Sequence, residues 1–295
     1  MLISASRRTD IPAFYAHWFI HRLREGFCTV PNPFNARQVQ RISLAPQDVD
    51  AIVFWTRHPR PLFPHLDELD ARGYRYYFQY TLLDYPHLID QLNPRYRMRL
   101  EAFCELSDRI GPERVIWRYD PILLTQLTPT NFHLEKFSRI AKALQGRTHR
   151  VVVSLLTPYA KIHKRMLALE KNGAALLPSA SVSDLWLGDF LRSLSAIAAS
   201  RSMQIVSCAS EQDFSPFGIH PSKCIDDDLL QCLFDIDISH IKDPGQRRTC
   251  GCVVSKDIGM YDTCLFGCQY CYATSSFARA RSNHARHDLQ SASLL

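Results

Sequence analysis

The stretch RVIWRYDPILLTQLTPTNFHLEKFSRIAKALQGRTHRVVVSLL, residues 114–156, sets one helical segment between two strand-like runs. The runs are residues 114–120 and 150–156, which are rich in the β-branched and aromatic side chains of buried strands. Residues 131–144 between them carry apolar side chains at helical spacing. A strand, a helix and a second strand in this order predict a parallel pair joined by a right-handed crossover.

The same unit recurs along the chain and predicts an α/β fold. Further strands are expected at 2–6, 51–56, 74–81, 202–209 and 252–258, with 233–239 as one more candidate. Further helices are expected at 12–25, 95–110, 159–172 and 182–200. Seven or eight such strands favour a (β/α) barrel, TIM-like or partial, over an open doubly wound sheet. No strand is followed by a glycine-rich turn, so the nucleotide-binding form of an open sheet lacks support.

Composition and charge are those of an ordinary globular protein. Of the 295 residues, 46% are hydrophobic and 22% are charged, and no apolar run is long enough to cross a membrane. The sequence therefore predicts a cytoplasmic protein with no membrane partner. The net charge of +6 is scattered, apart from several arginines in residues 276–295, which are expected to form a solvated basic tail.

Ten cysteines are present, and seven of them fall between residues 208 and 271. A reducing compartment and a chain of this size argue against a disulfide framework. Cys28, Cys104 and Cys232 stand alone in apolar or helical surroundings and are interpreted as packing residues. The clustering of the other seven predicts a metal site.

Cys264, Cys268 and Cys271 form a C-x3-C-x2-C motif. Three thiolates at this spacing suit three irons of a 4Fe-4S cluster and leave the fourth iron open to another ligand. The alternative is a structural zinc site with Cys250 or Cys252 as the fourth ligand. Zinc sites normally combine two short cysteine knuckles, so the spacing favours the cluster.

Four more cysteines remain, namely Cys208, Cys224, Cys250 and Cys252. Together they supply enough thiolates for a second iron-sulfur cluster. The alternative is that one or two of them are free thiols close to the first site.

Polar residues follow the predicted strands in register. The candidates for catalysis or substrate binding are Arg8, Asp10, Arg118, Asp120, Lys256 and Asp257. In a barrel the ends of parallel strands converge on one mouth, where active sites form. Arginine offers a bidentate fork for a carboxylate or phosphate, and aspartate accepts hydrogen bonds from hydroxyl or ammonium groups. For Lys256 with Asp257, a structural salt bridge is favoured over proton donation or acceptance.

The C-x3-C-x2-C motif, with Tyr270 directly before its last cysteine, resembles the radical S-adenosylmethionine (SAM) superfamily. The resemblance implies that the three cysteines hold a 4Fe-4S cluster whose open iron binds SAM. It also implies that an electron from the cluster splits SAM to give a 5'-deoxyadenosyl radical. Tyr270 matches the aromatic position near the adenine, and the pair Tyr272 and Ala273 is similar to the spore photoproduct lyases and related repair enzymes.

Other side chains are candidates for binding SAM. Arg118 suits its carboxylate, while Gln79 and Ser154, on separate predicted strands, suit its ribose and carboxylate. Tyr272 is assigned to the same cofactor site as Tyr270. The alternative for Gln79 and Ser154 is that they are inward-facing barrel residues without a ligand.

In the radical SAM superfamily the cysteine loop follows the first barrel strand, whereas here it follows the last one. We interpret this as a circular permutation, because a closed barrel has no first strand. The predicted organisation is one barrel domain over 1–275, with the iron-sulfur loop at 250–272, and a basic tail at 276–295.

Four longer segments resemble one uncharacterised family, domain of unknown function 1848. They are ISASRRTDIPAFY at 3–15, FWTRHP at 54–59, WRYDP at 117–121 and CGCVVSKDIGMYDTCLFGCQYCYA at 250–273. The resemblance brings no assigned substrate. It implies that the charged residues of the first, third and fourth segments belong to one site.

The sequence thus predicts a radical SAM-type enzyme of unknown substrate, reduced by an external donor such as flavodoxin or ferredoxin. A small molecule or peptide is favoured over nucleic acid, because a dense basic stripe with interleaved aromatic residues is missing. A nucleic-acid repair lyase is the alternative among enzymes. The alternative outside the enzymes is a non-catalytic protein, either an iron-sulfur electron-transfer protein or a structural zinc protein.

Overall fold

An eight-stranded sheet forms the centre of the computed structural model, which describes residues 1–157, 159–177 and 184–295. The strands are β1 (Leu2–Ala5), β2 (Phe27–Asn32), β3 (Asn35–Ser43), β4 (Ala51–Thr56), β5 (Tyr76–Thr81), β6 (Val115–Ile122), β7 (Arg150–Leu155), β8 (Gln204–Cys208), β9 (His220–Ser222) and β10 (Lys256–Asp257). The helices are α1 (Ile11–Phe14), α2 (Ala16–Glu25), α3 (Leu66–Ala71), α4 (Tyr96–Ile110), α5 (Thr130–Ala143), α6 (His163–Lys171), α7 (Leu185–Ala199), α8 (Asp227–Phe234) and α9 (Phe277–Ala285).

The strand order across the sheet is β10-β1-β4-β5-β6-β7-β8-β9, and every pairing is parallel. The predicted α/β fold with a parallel sheet is confirmed. The closed form of the predicted barrel is wrong, because no ladder joins β9 to β10 within the described ranges. These edge strands contain only three and two residues, which leaves too little backbone for a pairing that closes the sheet.

Alternating side chains of the strands form two apolar layers, one on each face of the sheet. Phe54, Phe78 and Trp117 belong to the first layer, which also contains the buried side chains of α2, α4, α5 and α7. The second layer is smaller and contains Val53 and Tyr77, covered by α8 and by the chain on either side of it. The buried residues between 224 and 253 therefore pack on a face without the long helices.

Most of the predicted elements are present. The helices expected at 95–110 and 131–144 are α4 and α5, with boundaries shifted by a residue. The helix expected at 12–25 is divided at Tyr15, which ends α1 and precedes α2. The helix expected at 182–200 is α7, and the start of that prediction, residues 182–183, lies outside the described residues.

Two segments differ from the prediction. Residues 233–239 are not a strand, because α8 continues to Phe234 and the chain after it has no regular structure. The antiparallel hairpin of β2 and β3 was not predicted. Its second strand, NARQVQRIS, is rich in polar residues and lacks the apolar run that marks the other strands.

The C-terminal segment after residue 275 packs against the N-terminal part of the chain. Thr29 N–H donates to Ala292 O at 2.8 Å, and Trp18 Nε1 donates to Ser291 O at 3.0 Å. Leu294 is buried. The segment 276–295 therefore packs onto the domain, while its three arginines, Arg279, Arg281 and Arg286, are exposed to solvent.

Candidate functional site

A cavity of about 660 Å³ opens at the carboxyl ends of the sheet strands. Its lining includes residues at or directly after the ends of β1, β4, β6, β7 and β8, where parallel strands commonly place functional side chains. Both cysteine groups border this cavity. The lining contains Cys264, Cys268 and Cys271, and also Cys208, Cys224, Cys250 and Cys252.

Asp262 closes the loop that carries the first cysteine group. Its backbone lies in the left-handed region, with a φ of 56°, and its N–H donates to Ala273 O at 3.0 Å. Its carboxylate accepts hydrogen bonds from both the N–H and the hydroxyl of Ser275, the latter at 2.7 Å. The two ends of the loop after β10 are therefore tied together, and the three cysteines lie between them.

Arg57 and Asp90 hold the middle cysteine of this loop against the sheet. Cys268 forms an isolated antiparallel bridge with Asp90. Arg57, directly after β4, makes a buried two-pronged ion pair with Asp90, and the shorter contact is 2.7 Å. The Nη1 atom of Arg57 also lies 2.8 Å from Cys268 Sγ. A cation beside a sulfur favours the thiolate, which is the form that binds metal.

Burial opposes ionisation of the same thiols. It raises the pKa of Cys268 to about 12, although the charge of Arg57 acts in the other direction. It raises the pKa of Cys264 well above its usual range, with smaller contributions from Cys271 and Asp10. Metal binding to this group therefore displaces protons.

The cysteine sulfurs of the described chain are not gathered as the ligands of one zinc ion are. Tetrahedral zinc, with Zn–S distances of about 2.3 Å, brings its sulfurs within about 4 Å of one another. Across the described ranges, no three cysteine sulfurs lie within 4.8 Å of one another. A cluster of several irons, each with its own thiolate, does not need its sulfurs within this distance.

Asp10 lies at the start of the cavity wall, after β1. Its carboxylate caps α1 by accepting the Ala13 N–H at 3.0 Å and also accepts the Arg57 N–H at 2.6 Å. Burial raises the pKa of Asp10 to about 7. Arg8 lines the cavity next to it, with its guanidinium over the Tyr261 ring.

Asp257 joins β10 to β1. Its carboxylate accepts hydrogen bonds from the hydroxyls of Ser4 at 3.0 Å and Ser6 at 2.5 Å, and from the Arg7 N–H at 2.8 Å. Neither Asp257 nor Lys256 contributes to the cavity lining, and the Asp257 carboxylate binds these groups of the β1 segment in place of the salt bridge with Lys256 that the sequence favoured. The geometry gives Asp257 a role in holding the cysteine loop beside β1.

Arg118 connects β6 with the second cysteine group. It pairs with Asp120, donates to Gln79 Oε1 at 3.2 Å, and its Nη1 atom lies 2.8 Å from Cys224 Sγ. Ser154 donates to the same Asp120 carboxylate. Gln79 lies behind the cavity lining, where its amide also donates to Cys224 O at 2.9 Å.

Two tyrosines of the cysteine loop face the cavity. Tyr270 is buried, its hydroxyl accepts a hydrogen bond from Arg57 Nη1 at 2.6 Å, and its ring lies 5.8 Å from that of Tyr85. Tyr272 is more exposed, and its hydroxyl donates to Arg7 O at 3.3 Å. Both rings line the cavity beside the cysteines.

A family model described as a domain of unknown function, DUF1848, matches residues 2–273, nearly the whole chain. This chain belongs to the DUF1848 family. No curated protein and no solved structure matches it. The match ends two residues after Cys271, so both cysteine groups of this DUF1848 protein lie within the family domain. None of the described helices is long and apolar enough to cross a bilayer.

The structure of the DUF1848 protein brings most of the sequence-predicted residues together. Those that line the cavity are Arg8, Asp10, Arg118, Asp120, Ser154, Tyr270, Tyr272 and the seven clustered cysteines. Gln79, Lys256 and Asp257 do not line it.

Three contributors were not assigned to the site from the sequence. Arg57 was predicted as one of the polar residues that directly follow a strand, but no role in the site was given to it. Asp90 and Arg165 had no signal in the sequence. Asp90 lies in an irregular segment, and Arg165 reaches the cysteine loop from α6, donating to the backbone oxygen of Thr274 at 2.6 Å.

Proposed function

We propose that this DUF1848 protein is a radical SAM-type enzyme in which Cys264, Cys268 and Cys271 hold a 4Fe-4S cluster and leave one iron for SAM. One observation carries the proposal. The three thiols of one loop border the strand-end cavity, and in the described residues no three cysteine sulfurs are gathered as tightly as the ligands of one zinc ion.

The strand order supports the circular permutation inferred from the sequence. The strand that leads into the cysteine loop, β10, pairs with β1 at one edge of the sheet. From β1 the order continues through β4, β5, β6 and β7 in chain sequence. The cysteine loop therefore follows the first strand across the sheet, although that strand is the last in the chain. Because β10 lies at an open edge of the sheet, this strand order does not require a closed barrel.

The charge of the cavity supports an anionic ligand. Its lining residues include the cations Arg7, Arg8, Arg57, Arg118, Lys161 and Arg247 and the anions Asp10 and Asp120. In the described parts of the chain, Arg57 and Arg118 are paired with carboxylates, whereas Arg7, Arg8, Lys161 and Arg247 are not. This excess of positive charge suits the carboxylate of SAM and an anionic group on a small-molecule or peptide substrate.

When bound and reduced, such a cluster supplies the electron that cleaves a carbon–sulfur bond of SAM. The residues of the chain bind and orient the reactants. Tyr270 and Tyr272 offer aromatic faces for the adenine, and Arg8 offers a guanidinium for a carboxylate. The apolar side chains of Phe266 and Leu155 form part of the cavity wall and help to exclude water. The electron comes from an external donor of the flavodoxin or ferredoxin type.

Anaerobic reconstitution with iron and sulfide, followed by dithionite and SAM, tests this proposal. We expect 5'-deoxyadenosine to form with the wild type and to be absent with Cys268→Ala. Cys28→Ala is the matched control, because Cys28 is buried but does not line the cavity. If the protein binds an iron-sulfur cluster but leaves SAM intact, the result would support the alternative of a non-catalytic electron-transfer protein. A colourless protein with stoichiometric zinc would support the structural zinc protein.

A further inference from the structure

A second group of four cysteines lies near the gap between β9 and β10, the two edge strands of the open sheet. Cys208 ends β8, Cys224 follows β9, and Cys250 and Cys252 precede β10. Cys208 is half-buried and the other three are buried. All four belong to the apolar layer opposite the long helices, whereas the first cysteine group belongs to the other layer. They therefore form a separate group that borders the same cavity.

The backbone around these thiols is tightly held. Val253 N–H donates to Ile225 O at 3.3 Å and thereby joins the chain after β9 to the chain before β10. The carbonyl of Cys224 accepts the Tyr77 hydroxyl at 2.7 Å and the Gln79 amide at 2.9 Å. Four cysteines from three distant parts of the sequence are thus brought together on a well-ordered framework.

The sulfurs of this group lie close together. Cys208 Sγ lies 3.1 Å from Cys224 Sγ. Cys252 Sγ accepts the backbone N–H groups of Cys224 at 3.3 Å and of Ile225 at 3.4 Å. Two amide donors directed at one sulfur stabilise negative charge on it, and such outer-shell donors orient and tune metal ligands.

Two arginines add positive charge beside the same group. Arg118 Nη1 lies 2.8 Å from Cys224 Sγ, although Asp120 neutralises part of its charge. Arg7, whose guanidinium lies over the same Trp55 ring as that of Arg118, has a buried Nη2 atom without a hydrogen-bond partner in the described parts of the chain. Burying part of an unpaired guanidinium costs free energy, and four neutral thiols do not offset that cost. A metal centre with four thiolates carries net negative charge, which attracts the guanidinium.

We propose that Cys208, Cys224, Cys250 and Cys252 bind a second iron-sulfur cluster, which fastens the two edges of the open sheet and forms part of the cavity wall. Zinc fits less well, because in the described chain no three of these sulfurs come within 4.8 Å of one another. The inference goes beyond the proposed function and does not depend on it, since it uses none of the first three cysteines.

Metal analysis of the full-length protein after anaerobic reconstitution tests the second cluster. We expect Cys268→Ala to keep about two to four iron atoms per chain, the content of one small cluster. Cys252→Ala should lose that iron but keep the SAM-dependent change in the electron paramagnetic resonance spectrum of the first cluster. Cys28→Ala, altered at a buried cysteine outside both groups, should keep all of the iron.

Alkylation of the reconstituted wild type, read cysteine by cysteine by mass spectrometry, tests the same site without a substitution. We expect Cys208, Cys224, Cys250 and Cys252 to become reactive together when an iron chelator is added. Reactivity before chelation, a disulfide between Cys208 and Cys224, or zinc retained by Cys268→Ala in place of iron would overturn the second cluster. If Cys252→Ala does not fold, the half-buried Cys208→Ala takes its place. Residual iron in Cys268→Ala, combined with a wild type that leaves SAM intact, would contradict the proposed function and support this site.

Discussion

The guanidinium of Arg57 lies 2.8 Å from Cys268 Sγ and is held there by its buried ion pair with Asp90. One side chain therefore links the end of β4 to the cysteine loop after β10. Because the cation lies next to the sulfur, it makes the electrostatic potential at the proposed cluster more positive.

Replacing this cation should make the cluster harder to reduce. We expect Arg57→Gln to lower the reduction potential of the cluster at Cys268 by on the order of 100 mV, because the reduced cluster is more negative. A redox titration followed by electron paramagnetic resonance measures the shift. The double variant R57Q/D90N removes both charges and should recover much of the potential. A potential that is unchanged in Arg57→Gln would place the guanidinium away from the cluster.

Asp262 should control how well the cysteine loop retains its metal. Asp262→Asn tolerates a positive φ and keeps an acceptor for the Ser275 N–H, so it should behave almost like the wild type. Asp262→Ala loses the acceptors and strains the backbone, and should cost about 2–3 kcal/mol of unfolding free energy. Urea unfolding and the rate of iron loss to a chelator measure the effects. Equal behaviour of the two variants would mean that the carboxylate does not close the loop.

Gly259 allows the chain after β10 to pass close to β1. A Cβ atom at this position would lie 2.1 Å from Ser6 Oγ and 2.5 Å from Ser6 Cβ. We expect Gly259→Ala to reduce the unfolding free energy by about 1–3 kcal/mol and to weaken iron retention. Gly245→Ala is the control, since the nearest atom to its new Cβ would be a flexible Asp243 oxygen at 3.2 Å. Iron retention and stability equal to those of the control would show that the two segments are not packed this closely.

His133 should make the protein sensitive to mild acid. It is buried, with Nδ1 2.9 Å from the Tyr119 hydroxyl and Nε2 3.1 Å from Leu123 O. Burial lowers its pKa to about 4, below the ordinary value of 6.5. Between these values the unfolded chain binds more protons than the folded one, so stability falls as the pH falls.

The contribution of His133 amounts to about 2 kcal/mol of unfolding free energy lost between pH 7 and pH 5. His133→Gln keeps a donor and an acceptor but does not titrate, so it should lack this share of the pH dependence. Urea unfolding at the two pH values, on metal-free wild type and variant, measures it. The same loss in both proteins would assign the acid sensitivity to other groups.

Local patterns predicted the parallel sheet and most of its helices, because long apolar runs and helical periodicity act within one segment. Helix α4, for example, begins one residue from its predicted start. The predicted closure of the sheet was wrong because it depends on the edge strands: β9 was not predicted, and of the strand predicted at 252–258 only Lys256–Asp257 pairs with the sheet. No local pattern predicts whether two such edges meet.

The site was predictable in its residue types and less so in their partners. The cysteine spacing and the charged strand ends identified the residues that line the cavity. Asp257 has the same sequence signal as Asp120, but the hydroxyls of Ser4 and Ser6, about 250 positions away, occupy its carboxylate. Asp90 was missed because its pairing with Arg57 depends on how a loop folds over the sheet. Such long-range hydrogen bonds are set by the fold and not by neighbouring residues.

Anomalous X-ray scattering from crystals of the anaerobically reconstituted protein tests the central claim most directly. Data collected on both sides of the iron edge should show iron density bounded by Cys264, Cys268 and Cys271, with one side of it open to the cavity. Anomalous density for a single zinc ion at these cysteines, or no iron density between them, would contradict the claim.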